Sequence, residues 1–255
     1  ELRDGYRDWF FAKESWYMEA DRLWEFMMIR FEDYKRNDPK ELKGYISNLS
    51  AYLRKNPGEK QAERASELVG KLCRVGEDDL ALTLLQFYPT PVSRLWERYN
   101  IENLRKQYED ADQVLEQLLA VKDPRVIEQA RRERAALYHK QMGKYEEAIK
   151  LYYEINDPPD TLWEIVDCQR RNNQKTEAQN TLTEIASIFP DQASRAIFTK
   201  AEFFRHDGEK KMAVGLYRNL LTHPEWKKTG EASKAHDRLE DLGIATGGAV
   251  VHEVN

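Results

Sequence analysis

The stretch QMGKYEEAIKLYYEI, residues 141–155, decides the architecture predicted for this chain. One apolar-periodic run ends at Gly143, and a second opens two residues later with Tyr145, Ala148 and Tyr152. Because glycine tolerates the left-handed conformation that ends a helix, the stretch predicts two helices joined by a tight turn. Ala148 and Tyr152 are four residues apart and share one face of the second helix. We therefore predict a helical hairpin in which the alanine permits close packing and the tyrosine fills the space beyond it.

The same arrangement recurs along the chain. Gly76, Asn173 and Gly208 take the place of Gly143, and an alanine follows each turn residue by five positions. A further alanine lies in the matching segment QYEDADQVLEQL, so the five are Ala81, Ala111, Ala148, Ala178 and Ala213. Successive alanines are 30, 37, 30 and 35 residues apart, and intervals near 34 indicate stacked helix pairs. A bulky apolar side chain follows each by four residues: Leu85, Leu115, Tyr152, Leu182 and Tyr217.

Proline placement agrees with this division into helices. Each of the nine prolines falls where the helical pattern on either side breaks: Pro39, Pro57, Pro89, Pro91, Pro124, Pro158, Pro159, Pro190 and Pro224. Proline cannot donate a hydrogen bond inside a helix but fits its first turn. The prolines therefore mark the ends and beginnings of helices.

The repeated residues resemble the tetratricopeptide repeat family. The best matches are residues 142–155, 173–190 and 201–221, with weaker ones at 74–88 and around Ala111. In the third match the family's characteristic residue types all occur in order. Small residues are Ala201 and Ala213, aromatic residues are Phe204 and Tyr217, the turn residue is Gly208, and the last apolar residue is Leu220. The resemblance covers roughly residues 61–242 and implies an all-α fold, a right-handed α-solenoid of stacked antiparallel helix pairs. Because the intervals are uneven, a related superhelix of the Sel1 or generic helical-repeat kind is the alternative.

The two ends of the chain differ from the repeats. Residues 1–36 form one uninterrupted helical pattern, about 50 Å long at about 1.5 Å per residue, with aromatics every seven residues at Phe10, Tyr17, Trp24 and Phe31. We predict three regions: a long N-terminal aromatic helix with a helical cap at 1–58, repeats with a C-terminal capping helix at 59–242, and a flexible tail at 243–255. A heptad of aromatics requires a large partner surface. That surface is the adjoining helix at about 39–55 with the first repeats, a second copy of the chain, or a different protein.

Composition and charge exclude several classes of partner. The formal net charge is −5, and the basic clusters at 131–134, 170–171 and 227–228 lie among acids without interleaved aromatics, so we expect no nucleic-acid partner. No apolar run approaches the roughly 18–20 residues of a membrane span, so we expect a soluble chain without membrane insertion. The compartment, cytoplasmic or periplasmic, stays open, because the chain begins at Glu1 and a targeting segment upstream of it would not be visible. Cys73 and Cys168 read as small core residues.

Catalytic and cofactor motifs are absent from the sequence. It contains no phosphate loop, HExxH motif, nucleophile elbow or dinucleotide fingerprint, so we predict no catalytic residue, no cofactor and no metal site. The five histidines, His139, His206, His223, His236 and His252, lack metal-ligand spacing and predict incidental surface or helix-end positions. The 45 acidic residues predict solvated helix faces. An acid pair across a cleft, as in a helical domain of a carbohydrate or cell-wall enzyme, is the less favoured alternative.

A partner surface is predicted on the first helix of each pair, which in tetratricopeptide arrays lines the concave groove. The resemblance places there Trp96, Asn100, Asn103, Trp163, Asp167, Arg170, Arg195, Phe198, Glu202 and Arg205. Aromatic and arginine side chains together are typical of binding hot spots. The three aromatics either bind the partner or pack between neighbouring pairs. We expect Arg170→Glu combined with Arg205→Glu to weaken binding with little effect on thermal stability.

These features favour a non-catalytic scaffold that binds a peptide or protein in the groove of a tetratricopeptide-like solenoid. The alternative is an assembly module, in which the aromatic helix drives self-association or docking, with the chain as the soluble part of a membrane-anchored protein. Similar helical arrays serve many processes, so the fold alone does not name the partner.

Overall fold

The computed structural model describes residues 39–55 and 59–244. The predicted aromatic helix of residues 1–36, with its assembly surface of Phe10, Tyr17, Trp24 and Phe31, lies outside the described residues. The predicted tail from residue 245 onward does so too. Both therefore stay predictions.

The described residues form twelve α-helices and no strand. They are α1 (Pro39–Lys55), α2 (Glu59–Arg74), α3 (Asp78–Thr83), α4 (Pro91–Leu104), α5 (Tyr108–Leu119), α6 (Pro124–Leu137), α7 (Tyr145–Ile155), α8 (Asp160–Arg171), α9 (Lys175–Ile188), α10 (Pro190–His206), α11 (Lys210–Thr222) and α12 (Gly230–Asp241). A 3₁₀ turn at Leu84–Phe87 continues α3, and a π turn at Tyr138–Met142 continues α6. Five hairpins result, α2–α3, α4–α5, α6–α7, α8–α9 and α10–α11, and α12 packs against the last of them.

Prolines begin helices, as the sequence predicts. Pro39, Pro91, Pro124 and Pro190 are the first residues of α1, α4, α6 and α10, where the missing amide hydrogen has no helical acceptor to lose. Among the described residues no proline interrupts a helix. No described helix is long and apolar enough to cross a lipid bilayer.

Every hairpin turn is closed by a residue in the left-handed conformation. The φ angle is +79° at Gly76, +65° at Gly143, +83° at Gly208 and +59° at Asn173, which confirms the four predicted turn residues. In the second hairpin the role falls to Lys106, with φ +60°. Lysine gives no sequence signal for this conformation, because its Cβ disfavours it.

The backbone hydrogen bonds of the turns follow one pattern with one exception. In four hairpins the amide after the left-handed residue donates to the carbonyl five positions before it, at 2.8–3.0 Å: Glu77 to Leu72, Gln107 to Glu102, Gln174 to Gln169 and Glu209 to Phe204. Such bonds satisfy carbonyls that the helix leaves free. In the third hairpin the Lys144 amide reaches back six positions to the Tyr138 carbonyl, at 3.0 Å. The extra residue belongs to the π turn and contributes to the long interval of 37 residues before Ala148.

The repeated alanines lie at the centres of the helical packing. All five are 0% exposed. Of the bulky side chains four positions later, Leu115, Leu182 and Tyr217 are 0% exposed and Tyr152 is 6% exposed, while Leu85 is half-buried. The absence of a longer side chain at the alanine sites allows neighbouring helices to approach closely. The predicted roles of both positions are confirmed.

The chain forms two compact units, of which the first ends at Ile127 and the second begins at Glu128. The core of the first unit joins leucines of α1 and α2 to the 3₁₀ turn and Ile101. The second unit has two cores, one around Tyr152, Ile165 and Leu182 and one around Tyr217 and Leu239. Within each unit the prediction of an all-α array of helix pairs is confirmed. The predicted region boundaries at 58/59 and 242/243 stay predictions.

Candidate functional site on the first helices

The predicted binding residues lie at recurring positions of the first helices. Counted back from the left-handed turn residue, position ten holds an aromatic, and positions six and three hold polar side chains. The second hairpin provides Trp96, Asn100 and Asn103, the fourth provides Trp163, Asp167 and Arg170, and the fifth provides Phe198, Glu202 and Arg205, with Arg195 one turn before Phe198. Because positions ten, six and three are four and three residues apart, they share one helix face. We call this surface the first-helix face and describe it separately for each unit.

In the first unit the face is formed by α4. Trp96 is half-buried and meets the Tyr99 ring edge-on at 6.0 Å between centroids. Asn100 is exposed and Asn103 is partly exposed. Glu97 lies one turn before Asn100 and is partly covered, and burial raises the pKa of its carboxyl group against the opposing hydrogen bonds from Tyr88 and Asn100. The two asparagines thus offer amide donors and acceptors beside an acid that is harder to ionise.

In the second unit the face begins with a buried histidine. His139 lies in the π turn and is 2% exposed. Its Nε2 is 2.8 Å from an Asp167 carboxylate oxygen, and its Nδ1 is 3.1 Å from Glu164 and 3.4 Å from the Tyr152 hydroxyl. The ring therefore connects the third hairpin to two carboxylates on α8. His139 lies at a helix end, as predicted, but it is buried and bound to carboxylates, so the prediction of an incidental role is wrong for it.

Two basic side chains also approach the same carboxylates. Arg171 donates to Asp167 at 2.8 Å, and Lys140 lies 3.5 Å from Glu164. Burial works to raise the pKa of Asp167, but the hydrogen bonds from Arg171 and His139 outweigh it and hold the pKa below its usual value. Asp167 is therefore an ionised acceptor with both of its partners on the protein.

Between the fourth and fifth hairpins, Arg170 forms a bidentate ion pair with Asp207. The two hydrogen bonds measure 2.8 and 3.0 Å, and the guanidinium also lies over the Phe203 ring, 4.7 Å from its centroid. Lys175 approaches the same carboxylate at 3.0 Å, and the Asp207 side chain is only 8% exposed. The Arg170 hydrogen bonds lower the pKa of Asp207 against the effect of burial. Arg170 thus joins adjacent hairpins.

Glu202 is the corresponding centre of the fifth hairpin. Arg205 binds it in a bidentate manner at 2.9 and 3.1 Å, Arg238 of α12 donates at 3.3 Å, and the Tyr217 hydroxyl donates to the same carboxylate. Burial alone would raise the pKa of Glu202, but these donors lower it. Reversing the charge of Arg170 or Arg205 would therefore break an internal ion pair. In place of the small effect expected from the sequence, the ion pairs lead us to expect that the double charge reversal lowers thermal stability.

The aromatics of the second unit have one packed side and one open side. Trp163 packs on the core around Ile165, its indole nitrogen is buried without a hydrogen-bond partner among the described residues, and its ring is covered by the Arg195 guanidinium at 4.2 Å from the centroid. Phe198 packs against the Tyr217 ring, 6.0 Å between centroids. Both rings therefore contribute to packing and still border the first-helix face.

Comparisons with known proteins were made for the whole chain. No protein-family model and no curated protein sequence matches it. Among solved structures, the nearly identical TPR-like repeats of a Podosopora anserina protein of the kinesin light chain type share 16% identity with it, over 72% of this chain and 99% of that one, with a TM-score of 0.48. MamA MSR-1 C2 shares 14% identity over 71% of this chain and 99% of that one, with a TM-score of 0.43. A Rap protein in complex with competence and sporulation factor shares 15% identity over 90% of this chain and 79% of that one, with a TM-score of 0.39.

At these identities a likeness concerns the fold alone. The hairpins themselves carry the turn residue, the buried alanine and the bulky partner at fixed offsets. The fold is that of tetratricopeptide-like repeats.

Two features of the tetratricopeptide-like face were missed by sequence reasoning. The long interval before Ala148 indicated an irregular third hairpin but not the π turn that places His139 against α8. Asp207 is adjacent to a predicted turn glycine, yet only the structure shows that it binds Arg170 from the neighbouring hairpin. Both contacts join residues about 30 or more positions apart, which local patterns do not report.

One group of side chains could in principle hold a cation. His236, Asp237 and Glu240 of α12 place their ligand atoms within 4.8 Å of one another. Both acids are exposed, and exposed acidic groups are common without a metal ion. The prediction of no metal site therefore stays a prediction.

Proposed function

We propose that this chain is a non-catalytic scaffold that binds a peptide or protein segment on the first-helix face of its second unit. The observation that carries the proposal is that the polar side chains of this face are partly exposed yet held in place. The Arg170 and Arg205 side chains are 24% and 30% exposed, and each is fixed by two hydrogen bonds to one carboxylate.

A surface fixed in this way favours binding because ordering its side chains requires little further loss of entropy. Immobilising a flexible side chain on binding costs roughly 0.5–1.5 kcal/mol, and ion pairs within the protein have already restricted these rotamers. The half-buried Trp163 and Phe198 add apolar area beside the charged groups. Aromatic residues and arginines together are enriched at protein interfaces.

Carboxylate chemistry also favours a scaffold over an enzyme. A general acid requires a raised pKa, whereas the face of the second unit carries Asp167, Glu202 and Asp207, whose pKa values are lowered because cations and hydrogen-bond donors surround them. These carboxylates therefore serve as ionised acceptors: Asp167 and Asp207 join adjacent hairpins, and Glu202 joins the fifth hairpin to α12.

Site-specific photocrosslinking tests the proposal. A photoreactive amino acid is introduced at Lys140 or Thr199 on first-helix elements and, as matched controls, at the exposed Asn180 and Asn219 on second helices. In extract from the source cells we expect discrete crosslinked partners from the first-helix positions only. Equal crosslinking from both sets, or crosslinks from the second helices alone, would contradict the assignment of this face.

A further inference from the structure

Arg195 differs from the other arginines of the first-helix face. It is exposed at the start of α10, and its guanidinium stacks on the Trp163 ring at 4.2 Å. It forms no ion pair with any described residue, whereas Arg170 and Arg205 each bind a carboxylate in a bidentate manner. The ring restrains the Arg195 guanidinium, whose donors have no side-chain acceptor among the described residues.

A stacked guanidinium with unused edge donors suits a carboxylate. Planar bidentate hydrogen bonding to carboxylates is the geometry for which arginine is preferred over lysine, and an aromatic ring beneath orients the cation before the ligand arrives. The charge-assisted hydrogen bonds are shorter and stronger than neutral ones. The acceptor that Arg195 lacks is therefore a carboxylate supplied from outside the described residues.

The neighbouring surface indicates what accompanies that carboxylate. Phe198 is three residues along α10, so its Cβ atom lies about 5–6 Å from that of Arg195 on the same helix face. In an extended peptide, side chains two positions apart point to the same side and are separated by about 6.6 Å. An acidic residue on Arg195 would thus place the side chain two positions away over the half-buried Phe198 ring.

We propose, on the basis of the function proposed above, that Arg195 on Trp163 binds an Asp or Glu side chain of an extended partner peptide, and that Phe198 receives an apolar side chain two positions from it. The first-helix face then selects segments with an acidic residue and an apolar residue separated by one position. The charge of the partner complements the one arginine of the predicted set that has no acidic partner on the described chain.

Selection from random peptides displayed on phage tests this inference with the full chain as the bait. Wild type is compared with Arg195→Gln, with Arg195→Lys, and with Arg218→Gln, which removes an exposed arginine from the second helix of the same hairpin. Thermal unfolding of each variant checks folding. We expect wild type and Arg218→Gln to enrich the acid and apolar pair, and Arg195→Gln to lose the acidic preference.

A selected peptide then serves as the probe in fluorescence anisotropy. We expect roughly tenfold weaker binding to Arg195→Gln, and a similar loss when the peptide's acidic residue becomes its amide, because one charge-assisted contact is removed in each case. Arg195→Lys retains the charge but not the planar fork, so we expect an intermediate affinity. Combining Arg195→Gln with the amide peptide should cause little further loss.

The outcomes separate this inference from the function it rests on. Peptides that lack acidic enrichment, or that bind wild type and Arg195→Gln equally, would overturn the role of Arg195 and leave the scaffold proposal standing. Selection of no peptide by the folded wild-type chain would overturn both.

Discussion

Lys106 allows the clearest test of how the turns determine stability. It is the left-handed residue of the second hairpin, with φ +60°, where three other hairpins carry glycine. Its side chain is exposed and makes no ion pair with a described residue. Replacing Lys106 by glycine therefore changes the backbone preference of the turn and removes no side-chain interaction that the structure shows.

The expected effect is a modest gain in the free energy of unfolding. A left-handed conformation costs a residue with a Cβ roughly 1–2 kcal/mol relative to the right-handed one. Glycine removes that penalty but also increases the freedom of the unfolded chain, which lowers stability by roughly 0.4–1 kcal/mol. The midpoints of these two terms predict that Lys106→Gly stabilises the protein by about 0.8 kcal/mol, within a range of about 0–1.6 kcal/mol.

Urea denaturation followed by far-ultraviolet circular dichroism measures this change. The control is Lys150→Gly, an exposed lysine in the middle of α7 with helical backbone, where we expect a loss of about 1 kcal/mol because glycine is a poor helix former. The same substitution should therefore have opposite signs at the two sites. A loss of stability at both sites would refute the argument that backbone conformation sets the cost at Lys106.

Three further predictions concern the helical packing and the charges. Asp207→Asn should destabilise the protein at neutral pH. Because the pKa of Asp207 is lowered in the folded state, the stabilisation by its carboxylate is present above the unfolded pKa of about 4 and is lost as pH falls through the folded value. The urea midpoints of variant and wild type should therefore converge in acid. Ala213→Leu should cost roughly 1–3 kcal/mol in thermal or urea unfolding, since it overpacks a site that is 0% exposed, while Ala120→Leu at an exposed position should cost little. Burial raises the pKa of Cys73 to about 11 and that of Cys168 to about 12. Both thiols should therefore react with a disulfide reagent at pH 8 roughly a hundredfold or more slowly than free cysteine. Cys168 is fully buried and should be the slower of the two.

Each of the three has an opposing outcome. A constant difference between Asp207→Asn and wild type down to pH 3 would show that the carboxylate contributes no linked proton. Equal losses for the two alanine variants would show that the alanine sites are not closely packed. Fast labelling of Cys168 in the native protein would show that α8 opens readily.

The fold could be predicted because its signals are local. Glycine and asparagine at turns, alanine five residues later and proline at helix starts act within one hairpin, and the chain repeats them often enough for a period to emerge. The left-handed conformation of Lys106 was not predicted, because the surrounding hairpin imposes it against the preference of a residue with a Cβ. Its offset of five from Ala111 nevertheless matches the other turns, so the alanine period contained the signal.

The candidate site was only half predictable. The recurring polar and aromatic positions follow from the repeat register, but their partners do not. His139 meets Asp167 from the adjacent hairpin, 28 residues away, and Arg170 meets Asp207, 37 residues away. Such contacts depend on how successive hairpins stack. For that reason the sequence suggested free arginines where the structure has bidentate ion pairs.

Ion pairs between hairpins and a binding surface make opposing demands on the same side chains. In a repeat array each unit contacts only its neighbours, so polar contacts between adjacent hairpins contribute directly to holding the array together. Arg170 already forms two hydrogen bonds to Asp207, so a ligand can add fewer new hydrogen bonds there than at Arg195. Arg195 lies thirteen residues before the turn of its hairpin, the position that Asp160 holds in the preceding hairpin. Its guanidinium packs on an aromatic ring, whereas those of Arg170 and Arg205 bind a carboxylate. The ring fixes the cation without satisfying its hydrogen bonds, and this combination makes Arg195 the point of the face at which structural order and unused binding capacity coincide.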